Sequence, residues 1–415
     1  SAPAPAVIES LPVPPSIVSA PPPAAITSAR VVPVMTKLMS PSATVLHKIF
    51  SVKLKELAFL KSQGKPIINL GIGSPDLDPP LKAVMALEES LHHAGAHKYQ
   101  SYQGIPEFRD AVADFYKEHY KVSLSAKTEV LPLMGSKEGV MHISMAFLNK
   151  GDGVLIPNPG YPTYANVTKL LEAEPFFYDL KEDNNWLPDF IALERMNLSK
   201  VKIMWINYPN MPTGNNAPHK FYDDVVAFGK RHDILIVNDN PYSFILNDKP
   251  KSILQYRNSK DVCLELNSIS KTFNMAGWRA GMVVGNYDYV NAVLKVKSNM
   301  DSGMFYGIQK GAVEALKSSE MWFESLNSIY RKRRQLVWKL AEALNCTCNN
   351  DVSGLFVWAK LPPHIKSEEF TDLVLKEHSI FIAPGTVFGS NGEGYVRFSI
   401  CEEESVINEA IARVK

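Results

Sequence analysis

Asn267-Ser268-Ile269-Ser270-Lys271, continued by Thr272 to Trp278 and closed by Arg279-Ala280-Gly281, lies between two short apolar runs. Before it, Val262, Leu264 and Leu266 alternate with Cys263 and Glu265, a strand pattern ending near Asn267. After it, Met282-Val283-Val284-Gly285 reads as another buried strand. Gly277 and Gly281 let the connection turn. A lysine at a strand end among small donors is easily desolvated and its pKa lowered, as an amine needs to be to act as a nucleophile. Arg279 with Ser268 and Ser270 forms a donor set for a phosphate dianion. A lone Lys and Arg in a loop are ordinarily solvated. The complete pattern instead puts an imine-forming amine beside a phosphate site.

Working outward, the chain of 415 residues is long enough for two or more domains and a large core. Its net charge of +1 suggests neither nucleic acid nor an acidic surface as partner. No apolar run approaches the ~18–20 residues needed to span a bilayer, so no membrane role is expected. The four cysteines lack zinc spacing, C-x-C at Cys346 and Cys348 included, and fit free thiols in the cytoplasm; no metal is expected. Residues 1–40 are Pro-rich and of low complexity, with Pro12, Pro14, Pro15 and Pro21 to Pro23 among Ala, Val and Ser. This segment lacks the basic start and compact apolar centre of a signal peptide. It reads as a linker, a processed end or an arm on a partner subunit.

From about Ser42, Val45, Ile49, Phe50, Leu54, Leu57 and Leu60 follow a helical period. Ile67 to Leu70 lead into the turn-rich Gly71-Ile72-Gly73-Ser74-Pro75-Asp76, which fails as a dinucleotide fingerprint for want of a third glycine. Gly135-Ser136-Lys137-Glu138-Gly139 follows a strand and opens an apolar helix, whose free amides suit an anion. Three further apolar runs end in polar turns: Val154–Ile156 before Asn158 to Pro162, Val201–Ile206 before Asn207 to Gly214, and Ile234–Val237 before Asn238 to Tyr242. Apolar runs separated by helices argue an α/β fold, its mainly parallel sheet covered on both faces. Ligands of such sheets lie beyond the strand C-termini, where these polar turns fall.

Asp239 ends one of those buried strands, and a carboxylate there is costly unless it meets a cation. A protonated pyridine nitrogen is such a cation, and Tyr242 is placed to donate to a phenolic oxygen on the same ring. With Lys271 and the phosphate donors, these residues point to pyridoxal 5'-phosphate, an electron sink for a broken substrate C–H bond.

Five motifs in order, Gly135-Ser136-Lys137, Pro212-Thr213-Gly214, Asp239-x-x-Tyr242, Ser268-x-Ser270-Lys271 with Arg279 and Gly281, and Tyr395-Val396-Arg397-Phe398-Ser399, carry a wider likeness. From about Ser42 to the C-terminus the chain resembles a fold-type I pyridoxal-phosphate aminotransferase, class I/II, of the aspartate aminotransferase superfamily. The resemblance implies a seven-stranded large domain over 83–318. A smaller α+β domain would be formed by 41–82 and 319–415. It implies that Lys271 forms the Schiff base and shuttles the proton, Asp239 partners the pyridine nitrogen and Tyr242 the phenolic oxygen. Ser136, Lys137, Ser268, Ser270 and Arg279 match the phosphate site, and Tyr161 the aromatic stacked on the ring. Tyr99 matches a tyrosine that reaches the neighbouring subunit's phosphate, implying a homodimer with shared active sites. Arg397 matches the fork that grips the substrate α-carboxylate, beside the backbone of Gly73. The implied activity moves an amino group from an L-amino acid to a 2-oxoacid by ping-pong chemistry.

The likeness is nearest to bacterial alanine, aspartate and LL-diaminopimelate aminotransferases. Alternatives on the same scaffold are a C–S lyase, a decarboxylase or a synthase. A regulator would need a DNA-binding module that the Pro-rich segment does not supply. One position departs from the pattern: Met211 stands where the family has Asn before Pro-Thr-Gly, leaving Tyr242 alone on the phenolic oxygen or Asn210 as a substitute.

Overall fold

The computed structural model describes residues 49–415, with side chains from 53 onward. The Pro-rich segment and the start of the helical pattern at Ser42 lie outside the described residues. The first of the described helices is Ile49–Ser62, followed by the two-residue strand β1 (Ile68–Asn69). Then come β2 (Val130–Leu133), β3 (Gly153–Asn158), β4 (Glu174–Asp179), β5 (Val201–Ile206), β6 (Leu235–Asp239), β7 (Cys263–Ser268) and β8 (Gly281–Gly285). These last seven form one sheet in the order β2-β8-β7-β6-β5-β3-β4. All neighbours are parallel except β8, which is antiparallel to both β2 and β7.

Strand alternation splits the sheet's side chains between two cores. Ile203, Trp205, Val237, Leu264 and Leu266 pack with Val140 and Ile143 of helix Ser136–Phe147 on one face. Met204, Ile206, Ile236 and Cys263 join Phe108, Val112 and Tyr116 of helix Pro106–Tyr120 on the other. Both faces are thus covered, as the unbroken apolar runs imply. The strand read from Val262 to Asn267 is present as β7, and within it Glu265 is fully buried, because the helix carrying Tyr116 covers its face of the sheet.

The remaining strands lie apart from that sheet: β9 (Thr347–Cys348), β10 (Phe356–Lys360), β11 (Ile380–Phe381), β12 (Ala383–Pro384) and β13 (Tyr395–Ser399). β11 pairs in parallel with β1, so a segment near residue 68 is held against one near 380. The others form a four-stranded antiparallel sheet, β12-β13-β10-β9. The 24-residue helix Glu320–Ala343 packs against β10 and against helix Glu404–Val414.

Candidate active site

Strand order decides what meets at the carboxyl edge of the large sheet. Because β8 runs antiparallel to both neighbours, its first residue, Gly281, lies opposite Ser268 of β7 and Leu133 of β2. That juxtaposition sets Gly135–Lys137 beside Ser268–Lys271, more than a hundred residues on. Close approach enforces glycine at Gly281: a Cβ would lie 2.8 Å from the Asn267 carbonyl and 3.0 Å from the Ser136 amide. Gly135 has φ 92° and no room for a Cβ, because the Arg279 guanidinium sits against it. No side chain caps the helix that starts at Ser136, so its first amides point outward with the positive dipole end. Ser268 Oγ donates to Ser270 Oγ at 2.9 Å and accepts from the Ser270 amide. Arg279 Nη1 donates to the Ala276 carbonyl, which aims the guanidinium into this cup.

A cavity of about 320 Å³ opens from the cup. Its walls include Gly73, Ser136, Lys137, Tyr161, Asp239, Tyr242, Ser268, Ser270, Lys271, Arg279 and Arg397, the residues to which the family resemblance gives a role in the site, apart from Tyr99. Tyr99 is 89 % exposed and stands away from it. Lys271 Nζ donates to the Gly73 carbonyl at 2.7 Å. Burial lowers its pKa, and the nearby Arg397 and Arg279 charges act in the same direction against an opposing contribution from Cys401. Burial pushes the Asp239 carboxyl up to about 6, opposed by a hydrogen bond from Tyr164 and reinforced by the Glu265 charge. Its Oδ1 is buried with no partner among the described residues. A buried acceptor without a donor, facing a cavity, fits a ligand N–H.

Arg397 lies at the opposite wall, its guanidinium 3.9 Å from the Phe356 ring centroid and 4.4 Å from that of Phe388. Nη2 donates to the Gly71 carbonyl at 2.8 Å. No carboxylate neutralises it among the described residues, and burial lowers its pKa to about 10. A desolvated fork packed against two rings, with no anionic partner among the described residues, can receive a carboxylate.

The structure also answers the question raised at Met211. Its sulfur lies 3.3 Å from Arg397 Nη1, so an apolar thioether lines the wall there. Asn210 does not take its place. Its Oδ1 accepts from the Thr213 amide and hydroxyl, and its Nδ2 donates to the Asn207 carbonyl, because the turn consumes that side chain. Asn207 itself lines the cavity and donates to the Asp239 carbonyl. The sequence reading passed over Tyr164, Asn207, Pro241, Ala276 and Phe356 as cavity residues. For Tyr164 the available signal was its place three residues after Tyr161, one helical turn on.

The profile of the family "Aminotransferase class I and II" matches residues 65–414. The LL-diaminopimelate aminotransferase of Maridesulfovibrio salexigens is 40 % identical over 381 residues, 91 % of this chain and 98 % of that protein. The enzyme of the same name from Aquifex aeolicus is 41 % identical over 355 residues, 85 % of this chain and 92 % of its own. The substrate-bound BacF structure from Bacillus subtilis superposes with a TM-score of 0.86 at 36 % identity, covering 91 % of this chain and 97 % of that one. A probable N-succinyldiaminopimelate aminotransferase from Thermus thermophilus follows at 0.82 and 28 %, covering 88 % and 99 %. The chain belongs to the class I and II aminotransferases. It is a transaminase of fold type I, from a family whose members use pyridoxal phosphate.

Proposed function

We propose that this enzyme holds pyridoxal 5'-phosphate in the 320 Å³ cavity and moves the amino group of an L-amino acid to a 2-oxoacid, with LL-diaminopimelate as the donor to test first. One observation carries the reading: a desolvated amine, a half-satisfied buried carboxylate and an unneutralised guanidinium face one cavity. When bound, the cofactor supplies an electron sink for the breaking substrate C–H bond. The chain's own groups supply the rest. The outward amides at Ser136 and Lys137, the hydroxyls of Ser268 and Ser270 and the Arg279 guanidinium hold the phosphate. Asp239 Oδ1 accepts the ring N–H, Tyr242 donates to the phenolic oxygen, and Tyr161 covers the ring. Arg397 grips the α-carboxylate and so orients the substrate C–H. Lys271 Nζ would anchor the cofactor and, once displaced by the substrate amine, would take up and return the substrate's proton, for which a lowered pKa suits it.

The donor proposal rests on the relatives' names. Among the described residues, Arg279 and Arg397 are the arginines that line the cavity, and each already has a role in this reading. A distal carboxylate would therefore meet groups of a partner subunit, and a homodimer to which Tyr99 contributes is part of this reading. Among the described residues no helix is long and apolar enough to cross a membrane. Four unpaired cysteines support a reducing compartment such as the cytoplasm. The test is a panel of amino donors, LL-diaminopimelate, aspartate, alanine and aromatic amino acids, each with 2-oxoglutarate or pyruvate. Expected is one 2-oxoacid released per site without acceptor and turnover with it. Free ammonia instead would mark elimination, and failure of every donor would refute the assignment.

A further inference from the structure

Tyr164 was not expected to take part in the site, yet its geometry is specialised. It is 1 % exposed in helix Pro162–Leu170 and stacks on Trp205 of β5, with centroids 4.9 Å apart and planes within 6°. Tyr161 meets its edge at 5.5 Å and 85°. These contacts fix the ring, and its hydroxyl donates to Asp239 Oδ2 at 2.8 Å. Burial and the Asp239 charge hold the phenol well above its ordinary pKa, so it remains a donor throughout the working range. Asp239 thus has one oxygen occupied by a donor that cannot ionise, and the other directed to the cavity without a partner among the described residues. The Asn207 side-chain amide donates to the same residue's backbone carbonyl, which ties down the strand end that carries the carboxylate.

We propose that Tyr164 is a positioning residue for cofactor retention: by occupying Oδ2 it keeps the Asp239 carboxylate ionised and presents Oδ1 to the cofactor's ring nitrogen. The inference rests on the proposed pyridoxal-phosphate reading of the cavity and specifies what maintains its anionic end. The titratable groups that act on Asp239 are Tyr164 from the helix, Tyr242 from the following turn and, from the other face of the sheet, the charge of Glu265 on β7, with Lys271 and Arg397 at other walls of the cavity. Of these, Tyr164 is the one that donates a side-chain hydrogen bond to it. Without that bond the proton on Asp239 is lost only at higher pH, and a protonated carboxyl no longer complements a protonated ring nitrogen.

The experiment uses the full chain stripped of cofactor, with pyridoxal 5'-phosphate affinity measured by equilibrium dialysis from pH 6 to 8.5. Absorbance of the bound cofactor is followed over the same range. Tyr164→Phe keeps the ring on Trp205 and removes only the hydroxyl. Expected is a Kd raised about tenfold or more at pH 6.5, the scale of a lost hydrogen bond to a buried charge, and much less at pH 8.5, where Asp239 ionises unaided. The absorbance-pH curve moves with it. In an Asp239→Asn background the same substitution should have no further effect on affinity, because Tyr164 acts through that carboxylate. An unchanged affinity and spectrum in Tyr164→Phe would overturn the inference. So would a loss equal at every pH and undiminished beside Asp239→Asn, which would mark a packing role. Should the unaltered protein bind no pyridoxal phosphate, the functional reading itself fails, and this one with it.

Discussion

Glu265 and Asp239 are two buried carboxylates on neighbouring strands, and they are treated oppositely. In the parallel register Asn238 pairs with Glu265 and Asp239 with Leu266, so the two carboxylates project from opposite faces of the sheet. Glu265 accepts from the Tyr116 hydroxyl at 2.8 Å, from Asn238 Nδ2 at 2.9 Å and from the Ile253 amide at 2.9 Å. Both of its oxygens are occupied, by groups from an α-helix, a neighbouring strand and the 3₁₀ helix Ile253–Gln255. Asp239 receives one side-chain hydrogen bond and keeps one oxygen bare. A protein satisfies a buried charge that only holds elements together, and leaves incomplete one that must receive a ligand. Burial raises both carboxyls above their ordinary range. Unmet hydrogen-bonding capacity, rather than burial or pKa, tells the two apart.

Several experiments would break or sharpen this contrast. The largest effect belongs to the amine across the cavity. Lys271→Ala should lower transamination about ten-thousandfold, the upper range for a positioned proton carrier. It should also abolish the borohydride-reduced cofactor adduct seen by mass spectrometry. An adduct persisting elsewhere would move the site. Asp239→Asn should cost about 10²–10³ in kcat, as does removal of a preorganised electrostatic partner, whereas Glu265→Gln should leave kcat within about threefold. Equal losses for both would erase the distinction. Arg397→Ala should raise the amino-acid KM about a hundredfold, two charged hydrogen bonds' worth, with the binding of cofactor to the resting enzyme unchanged.

Stability should run the other way. Glu265→Gln forces an amide N–H toward existing donors and should cost about 1–3 kcal/mol in urea unfolding. Asp239→Asn should instead stabilise the cofactor-free protein at pH 7 by about 2–3 kcal/mol. The sign follows from linkage: the folded carboxyl titrates near 6 and the unfolded one near 3.8. The unfolded chain therefore releases its proton first, and stability falls as pH rises between those values. The gain from Asp239→Asn should vanish below about pH 4. A variant as unstable as Glu265→Gln at pH 7 would mean that Asp239 holds the fold together after all.

Much of the site was legible because its residues sit at strand ends, where a polar residue after an unbroken apolar run has one place to go. Lys271, Asp239, Tyr161, Ser136 and Lys137 all follow that rule, and all line the cavity. Tyr164 was not legible in that way. Its sequence context is that of a packing aromatic in an amphipathic helix, and its partner lies 75 residues away. The burial of Glu265 was not legible either, because alternation along one strand cannot report that a helix from residues 106–120 covers its face of the sheet. At Met211 the departure itself was visible in the sequence. That Asn210 is consumed by its own turn emerged only from the backbone path.

The sequence by itself determined most strands of the large sheet, though not β4, together with the class of chemistry and the identity of the charged residues, since periodicity and strand-end polarity are local properties. Tertiary structure alone decided which charge would be left unsatisfied. Hydrogen-bond partners converge from distant segments, and the order of strands, above all the antiparallel insertion of β8, determines which segments meet. A carboxylate's role depends on how many donors reach it, and that number exists only after the chain has closed around it.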